Sequence, residues 1–206
     1  MEQIIFNKTD FSMLVITRDG ANKVTNGTQN EVDYGRSING QALGEIMANR
    51  ENEIIFNLPT KLKQGNEFEV IGHMTSDRRR LIVALITGTY KIDHNNVACE
   101  VEFNFTGDES IKLRKIINGV TQEQIVGDIS SSSLLMGMYF EKAQFKLKFK
   151  IWRTSILISI GSRMEDDGEQ GDTILEPFDF DHNIDDIKFL SLSNDIEKVS
   201  NLNFSF

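Results

Sequence analysis

A single cysteine, Cys99, stands in a chain of 206 residues, so an internal disulfide framework is excluded and a reducing compartment is expected. Long apolar runs are missing as well: no stretch approaches the roughly 18 to 20 continuous apolar residues of a membrane-spanning helix. Met1 is followed by Glu2 and Gln3, with no basic start, apolar run and small-residue cleavage site. A cytoplasmic location, or export without a signal peptide, is the expectation. Positive charge is short too. The 22 Lys and Arg stand against 31 Asp and Glu, a net charge of −9, and phosphate contact needs concentrated Lys and Arg, so general nucleic-acid binding is not expected. The one basic run, Arg78, Arg79 and Arg80, reads as the lead into a strand. His73, His94 and His182 are scattered without metal-ligand spacing, and neither a Ser or Cys nucleophile motif nor a phosphate-cradling glycine loop is present. No metal, cofactor or catalysis is expected.

What the chain has in quantity is alternation. In residues 97–105, Val97, Cys99, Val101, Phe103 and Phe105 alternate with Ala98, Glu100, Glu102 and Asn104, the period of a strand with one face in a core and one in water. That parity makes Cys99 a small core hydrophobe and presents Glu100, Glu102 and Asn104 as a solvated row. Similar segments at 54–58, 67–72, 80–86, 110–117, 145–152, 155–161, 186–193 and 199–206 are divided by turn residues, with almost no helical periodicity between them. Gly65 supplies a positive φ for the turn Lys63-Gln64-Gly65-Asn66, and Asn118-Gly119 makes another turn. Residues 130–140 read as a loop, or as a loop running into an extra strand. The implied class is all-β, a sandwich or barrel of antiparallel sheets.

Residues 1–50 differ in character. They are rich in Gly and Asn, with one strand expected at 11–17, turn signals at Asp19-Gly20 and Asn26-Gly27, and a helical turn at 42–48. They read as a loosely ordered N-terminal extension to a domain at 51–206. The acidic group Glu165, Asp166, Asp167, Glu169 and Asp172 around Gly168 and Gly171 reads as a solvated loop, because the ligand spacing of an EF-hand is absent.

Several ordered segments resemble the galectin family. Leu58-Pro59-Thr60-Lys61-Leu62-Lys63-Gln64-Gly65 followed by Glu69-Val70-Ile71-Gly72 resembles the opening of a galectin domain, and Arg78-Arg79-Arg80-Leu81-Ile82-Val83-Ala84-Leu85 its next strand. Phe178-Asp179-Phe180-Asp181-His182 and Ile187-Lys188-Phe189-Leu190-Ser191-Leu192-Ser193-Asn194-Asp195-Ile196 resemble its closing strands. The resemblance covers residues 53–206. It implies a jelly-roll sandwich of two antiparallel sheets, a non-enzymatic binding domain, and a sugar groove on one sheet. Galectins carry H-x-N-P-R on one central strand of that groove, V-x-N on the next and W-G-x-E-x-R on the third. Matched residue by residue, Glu100 stands at the His, Glu102 at the Asn, Phe103 at the Pro and Asn104 at the Arg. Arg114 falls at or next to the Asn of the second motif. In the third, Thr121 takes the Trp, Gln124 the Glu and Val126 the Arg, or Glu123 takes the acid's place after a one-residue shift.

Ionised Glu100 and Glu102 only accept hydrogen bonds where His and Asn donate, and Thr121 lacks an aromatic face for a sugar's C–H surface, a loss on the order of 1 kcal/mol or more. The expectation is therefore a galectin-like binding domain with an altered or absent β-galactoside site: a divergent lectin, or a protein-interaction module that has lost sugar binding. The two carboxylates lie side by side on one strand and do not flank a bond as glycosidase acids do. With Arg114 balancing only one of them, a ligand rich in hydroxyl donors or positive charge is expected, a basic peptide segment being the more economical guess. A second surface is the strand in which Phe145, Leu147, Phe149 and Ile151 alternate with Lys146, Lys148, Lys150 and Trp152. It reads as an edge strand whose lysines deter sheet pairing, or as a dock for an acidic protein or anionic glycan anchored by Trp152. The resemblance places this strand in the sheet opposite the sugar groove.

Overall fold

The computed structural model describes residues 52–126, 136–137, 139–140, 143–161 and 172–205, together with the backbone of two strands at 13–16 and 22–25. The turns expected at Asp19-Gly20 and Asn26-Gly27, the helical turn at 42–48 and all of the acidic loop but Asp172 lie outside the described residues. In chain order the strands are β1 Met13–Ile16, β2 Asn22–Thr25, β3 Ile54–Asn57, β4 Glu67–Met74, β5 Arg80–Gly88, β6 Ile92–Asn104 and β7 Ser110–Ile117. They continue with β8 Val120–Ile125, β9 Gln144–Ile151, β10 Ser155–Ile160, β11 Thr173–Ile174, β12 Phe178–Asp179, β13 Ile187–Asn194 and β14 Ile196–Ser205. Residues 136–137 and 139–140 are helical, where the sequence left a loop or an extra strand open.

The strands form two antiparallel sheets. The larger has eight in the order β2-β1-β3-β13-β5-β6-β7-β8; the smaller has six, β11-β10-β9-β4-β14 with β12 paired to β10. The main core lies between the sheets. Val83, Val101, Leu113 and Leu190 from the large sheet and Val70, Leu147 and Ile158 from the small one have no exposed surface, each contributing about 1.5 to 3 kcal/mol by leaving water. Phe68 stacks on Phe149 at 4.9 Å between ring centroids, and Phe140 packs on Phe103 at 4.9 Å and edge-on to Phe105 at 5.2 Å.

Local chemistry sets the turns. Asn118 and Gly119 take φ values of 51° and 81° in the two-residue connection between β7 and β8, the geometry that suits the right-handed twist of a hairpin and favours an Asn-Gly pair. Gly65 sits at φ 92° as its turn requires. Gly72 on β4 is needed for a different reason: a Cβ there would lie 2.5 Å from the Phe145 ring and 2.8 Å from the Lys198 carbonyl oxygen.

Two expectations are corrected. The ladder between β5 and β6 slips, Leu85 facing Cys99 but Ile86 facing Val97. A bulge of this kind changes the parity of every residue beyond it. Ala98 and Cys99 are therefore both in the main core, while Val97 is on the opposite side of the sheet. The lysine-bearing strand β9 is not an edge, since it lies between β10 and β4.

Candidate functional site

Register carries the outer-face residues of the large sheet into lateral rows across β13, β5, β6, β7 and β8. One row reads Phe189, Ile86, Val97, Ile116, Thr121. The next reads Ser191, Ala84, Glu100, Arg114, Glu123, and the third Ser193, Ile82, Glu102, Lys112, Ile125. A fourth, shorter row is Arg80, Asn104, Ser110. The first row up to Ile116, with Ile55 and Ala84, forms an apolar cluster separate from the main core. The second and third rows hold the charges, so the outer face is apolar at one end and ionic in the middle.

The ionic part is closely paired. Glu102 accepts from Arg80, its Nε at 2.8 Å and its Nη2 as well, and also from Arg114 Nη2. Arg114 Nε lies 3.4 Å from a Glu100 oxygen and 3.7 Å from a Glu123 oxygen, and Lys112 Nζ is 3.2 Å from Glu123. Three cations thus meet three carboxylates. Of the expected solvated row the two carboxylates are in fact buried, Glu100 only 5% and Glu102 7% exposed, while Asn104 is half-buried. Burying a carboxylate this far is tolerable only with charged or hydrogen-bonding partners in place. The expectation that Arg114 balances one carboxylate and leaves the other free is likewise corrected, because Arg80 supplies the second guanidinium. The sequence treated Arg80 as the end of a basic run. Its parity with Ile82 and Ala84 on β5 was the available signal that it faces the groove. Lys112 was missed although its parity with Arg114 on β7 carried the same signal.

The other groove positions divide. Glu123 faces Arg114 in register, whereas Gln124 faces Leu113, a core residue, and donates to Glu176 at 2.7 Å. By that register Glu123, and not Gln124, shares the outer face of the sheet with Arg114. Val126, at the family's second Arg position, is in the main core. Asn104 is used locally: its Nδ2 donates to the Thr106 carbonyl at 3.1 Å, and its Oδ1 accepts from the Thr106 hydroxyl at 3.1 Å, fastening the turn after β6. Thr121 is exposed beside Ile116. A further polar group lies on the same face. Glu53 accepts from the Ser191 hydroxyl at 2.5 Å and sits 3.4 Å from His94 Nε2, tying the start of β3 to β13 and β6. No group of three or more His, Cys, Asp or Glu able to hold a metal ion occurs among the described residues.

The second surface lies in the opposite sheet, as the resemblance implies, with its lysines partnered. Lys150 reaches Glu67 at 2.5 Å, Lys148 reaches Asp172 at 2.5 Å, and Lys146 lies 3.5 Å from Glu69 and 3.6 Å from Asp172. The hydrogen bond to Asp172 raises the affinity of Lys148 for its proton and, from the other side, holds the Asp172 carboxyl below the usual carboxylate range. Trp152 follows β9 with about half its surface in solvent, 47%. Cys99 is buried, and that burial, helped by the charge of Glu100, pushes its thiol far above the ordinary range, so it is inert at neutral pH.

With this geometry in place, comparison with solved structures identifies the fold as galectin-like. Sheep galectin-11, in complex with glycerol, aligns at a TM-score of 0.53 with 11% identity, over 73% of this chain and 96% of its own. Toad ovary galectin, in complex with thio-digalactose, aligns at 0.56 with 16% identity over 74% and 98%. A homodimeric agglutinin from chicken liver aligns at 0.51 with 12% identity over 74% and 99%. No protein-family model and no curated protein matches the sequence.

Proposed function

We propose that this chain is a non-enzymatic binding module built on the galectin-like sandwich, a divergent lectin whose β-galactoside site has been replaced by an ion-pair cluster. The observation that carries the reading is Glu102 held between Arg80 and Arg114. A groove that selects a sugar needs donors and acceptors preplaced for its hydroxyls, since water satisfies those hydroxyls equally well. Here the guanidinium donors are spent on carboxylates, and Thr121 offers no stacking face. The charged groups of the cluster most open to a ligand are Lys112 and Glu123, each with about a third of its side chain in solvent. One is positive and one negative. A ligand that is neutral overall, with hydroxyls to bridge the two, fits that rim better than a uniformly basic peptide does. The chain acts without cofactor or metal and works in a reducing, cytoplasmic setting, in keeping with its single buried thiol.

The test is titration calorimetry with lactose, alongside a glycan array probed with the same protein. No saturable heat at millimolar lactose is expected, where a dissociation constant of 1 mM corresponds to about −4 kcal/mol, while the array should show binding to non-galactoside glycans. Micromolar lactose binding would sink the reading. An array blank throughout would move the module to the second reading, a protein-interaction domain. Pull-down with the parent chain and with a Lys112→Ala and Glu123→Ala variant then shows whether the groove rim is the contact.

A further inference from the structure

The outermost strands of a sheet carry backbone N–H and C=O groups with no strand beyond them, a template for another chain unless the edge is blunted. Among the described residues, three of the four sheet ends are blunted. β2 is four residues long and carries a lysine. β11 and β12, which share the far side of β10, are two residues each. β14 slips register against β4 twice, between Ile196 and Lys198 and between Val199 and Asn201. β8 has none of these devices. Its six residues, Val120 to Ile125, include no Lys, Arg or Pro, run in unbroken register with β7, and are exposed except for the partly buried Gln124.

In a two-residue hairpin the residues flanking the turn, here Ile117 and Val120, exchange both backbone hydrogen bonds, and bonded pairs alternate from there. Thr121, Glu123 and Ile125 therefore turn their N–H and C=O away from β7, to where a further strand would lie. The side chains define what that strand should carry. Along the second row of the outer face the charge alternates from strand to strand, Glu100, Arg114, Glu123, so the next place in the row calls for a cation. Ile125, 57% exposed at the end of the third row beside Lys112, calls for an apolar neighbour. On the other face Gln124 holds Glu176, an exposed second carboxylate, beside the same edge. We propose that the β8 edge docks an extended segment of a partner protein, added antiparallel to the large sheet. That segment has an apolar residue opposite Ile125 and basic residues opposite Gln124 and Glu123, one reaching each carboxylate. Backbone pairing supplies the affinity and the two cations the specificity. The site lies beside the proposed glycan groove, meets its rim at Glu123, and does not rest on that reading.

The probe is a fluorescein-labelled peptide, Val-Lys-Arg-Thr-Thr-Val, whose residues face Ile125 through Val120 in turn, titrated with the full chain and read by anisotropy. Val-Glu-Glu-Thr-Thr-Val is the control. The basic peptide should bind saturably, and the acidic one about tenfold more weakly or less, because its carboxylates meet Glu123 and Glu176. Thr121→Pro removes an outward N–H that the β7 ladder does not use, so the variant should keep its fold by far-UV dichroism while its affinity for the basic peptide falls about tenfold or more. Should that variant fail to fold, the peptide gives the reading with the parent chain. N-methylation at its Arg and second Thr, whose amides face β8, should abolish binding, and N-methylation at its Lys and first Thr should leave it. The proposal is overturned by the absence of saturable binding, by equal binding of the two peptides, by a folded proline variant that binds as the parent does, or by equal effects of the two methylation patterns.

Discussion

Glu102→Gln isolates the charge that organises the groove. The substitution keeps the shape of the side chain and one acceptor oxygen but removes the negative charge on which Arg80 and Arg114 converge. Breaking a buried ion pair from one side costs roughly 3 to 5 kcal/mol, because the remaining charge stays buried without compensation. Two features of this site lower that figure. Arg80 keeps about a quarter of its side chain in solvent, 26%, and Arg114 retains Glu100 and Glu123 at 3.4 and 3.7 Å. A loss of about 2 kcal/mol is expected, which for a chain of this size lowers Tm by roughly 4 to 8 °C. Urea denaturation of the parent, Glu102→Gln, Arg80→Gln and the double variant measures it. The double-mutant cycle should give a coupling of about 1 kcal/mol or more. Lys112→Gln, which breaks the more exposed pair with Glu123, should cost less than about 1 kcal/mol. If Glu102→Gln costs under about 0.5 kcal/mol and couples to Arg80 by nothing measurable, the three groups are solvated independently. The argument that they have replaced a ligand site then fails.

Gly72→Ala should lose about 1 to 3 kcal/mol in denaturant unfolding, because the added carbon meets both the Phe145 ring and the Lys198 carbonyl, and the carbonyl belongs to the paired strand β14; an unchanged midpoint would mean that β4 and β14 are not so closely apposed. Asp172→Asn should cost less than about 1 kcal/mol at neutral pH, since its pair with Lys148 is partly solvated. The sign follows from the carboxyl's lowered pKa: the contribution is present above its unfolded value of 3.8 and is lost as pH falls through the lower folded value, so parent and variant stabilities should converge in strong acid. Cys99 should resist thiol reagents in the native protein and react only at the rate of unfolding; rapid native-state labelling would place it outside the core.

The sandwich was legible because strand alternation is a local property. Wherever a strand has one face in the core, the period of two appears in the sequence, and seven of the segments so marked coincide with β3, β4, β5, β7, β9, β10 and β13 to within two residues at either end. The failures have equally local causes. The bulge in β6 inserts a residue without changing composition, so the run from Val97 to Phe105 reads as unbroken alternation while the backbone has moved Val97 to the other face. Strand β8, Val-Thr-Gln-Glu-Gln-Ile, is an edge strand with most of its residues exposed. It buries too little for alternation to register, and only the resemblance to the third galectin motif pointed to it.

The groove was half legible for a different reason. The identities on β6 and β7 follow from matching motifs along the chain, and those matches placed Glu100, Glu102 and Arg114 on one face. Their electrostatic state depends on residues across the sheet, which sequence distance conceals. Arg80 lies 22 positions from Glu102, yet β5 and β6 are neighbours, with Arg80 opposite Asn104 and Ile82 opposite Glu102. Two carboxylates on one strand therefore imply an acidic groove when the strand is read alone, and a neutral one when the sheet is assembled. The difference bears on the proposed function. An acidic groove would recruit a cation, whereas on the proposed reading a cluster in which Arg80, Arg114 and Lys112 offset Glu100, Glu102 and Glu123 would recruit no net charge and would bind only what can break or bridge its pairs. Since breaking a pair on the buried floor costs more than bridging one on the rim, a ligand should engage Lys112 and Glu123 first and leave Glu102 with its arginines. Affinity should therefore respond to the Lys112→Ala and Glu123→Ala substitutions directly, and to Glu102→Gln only through the stability of the fold.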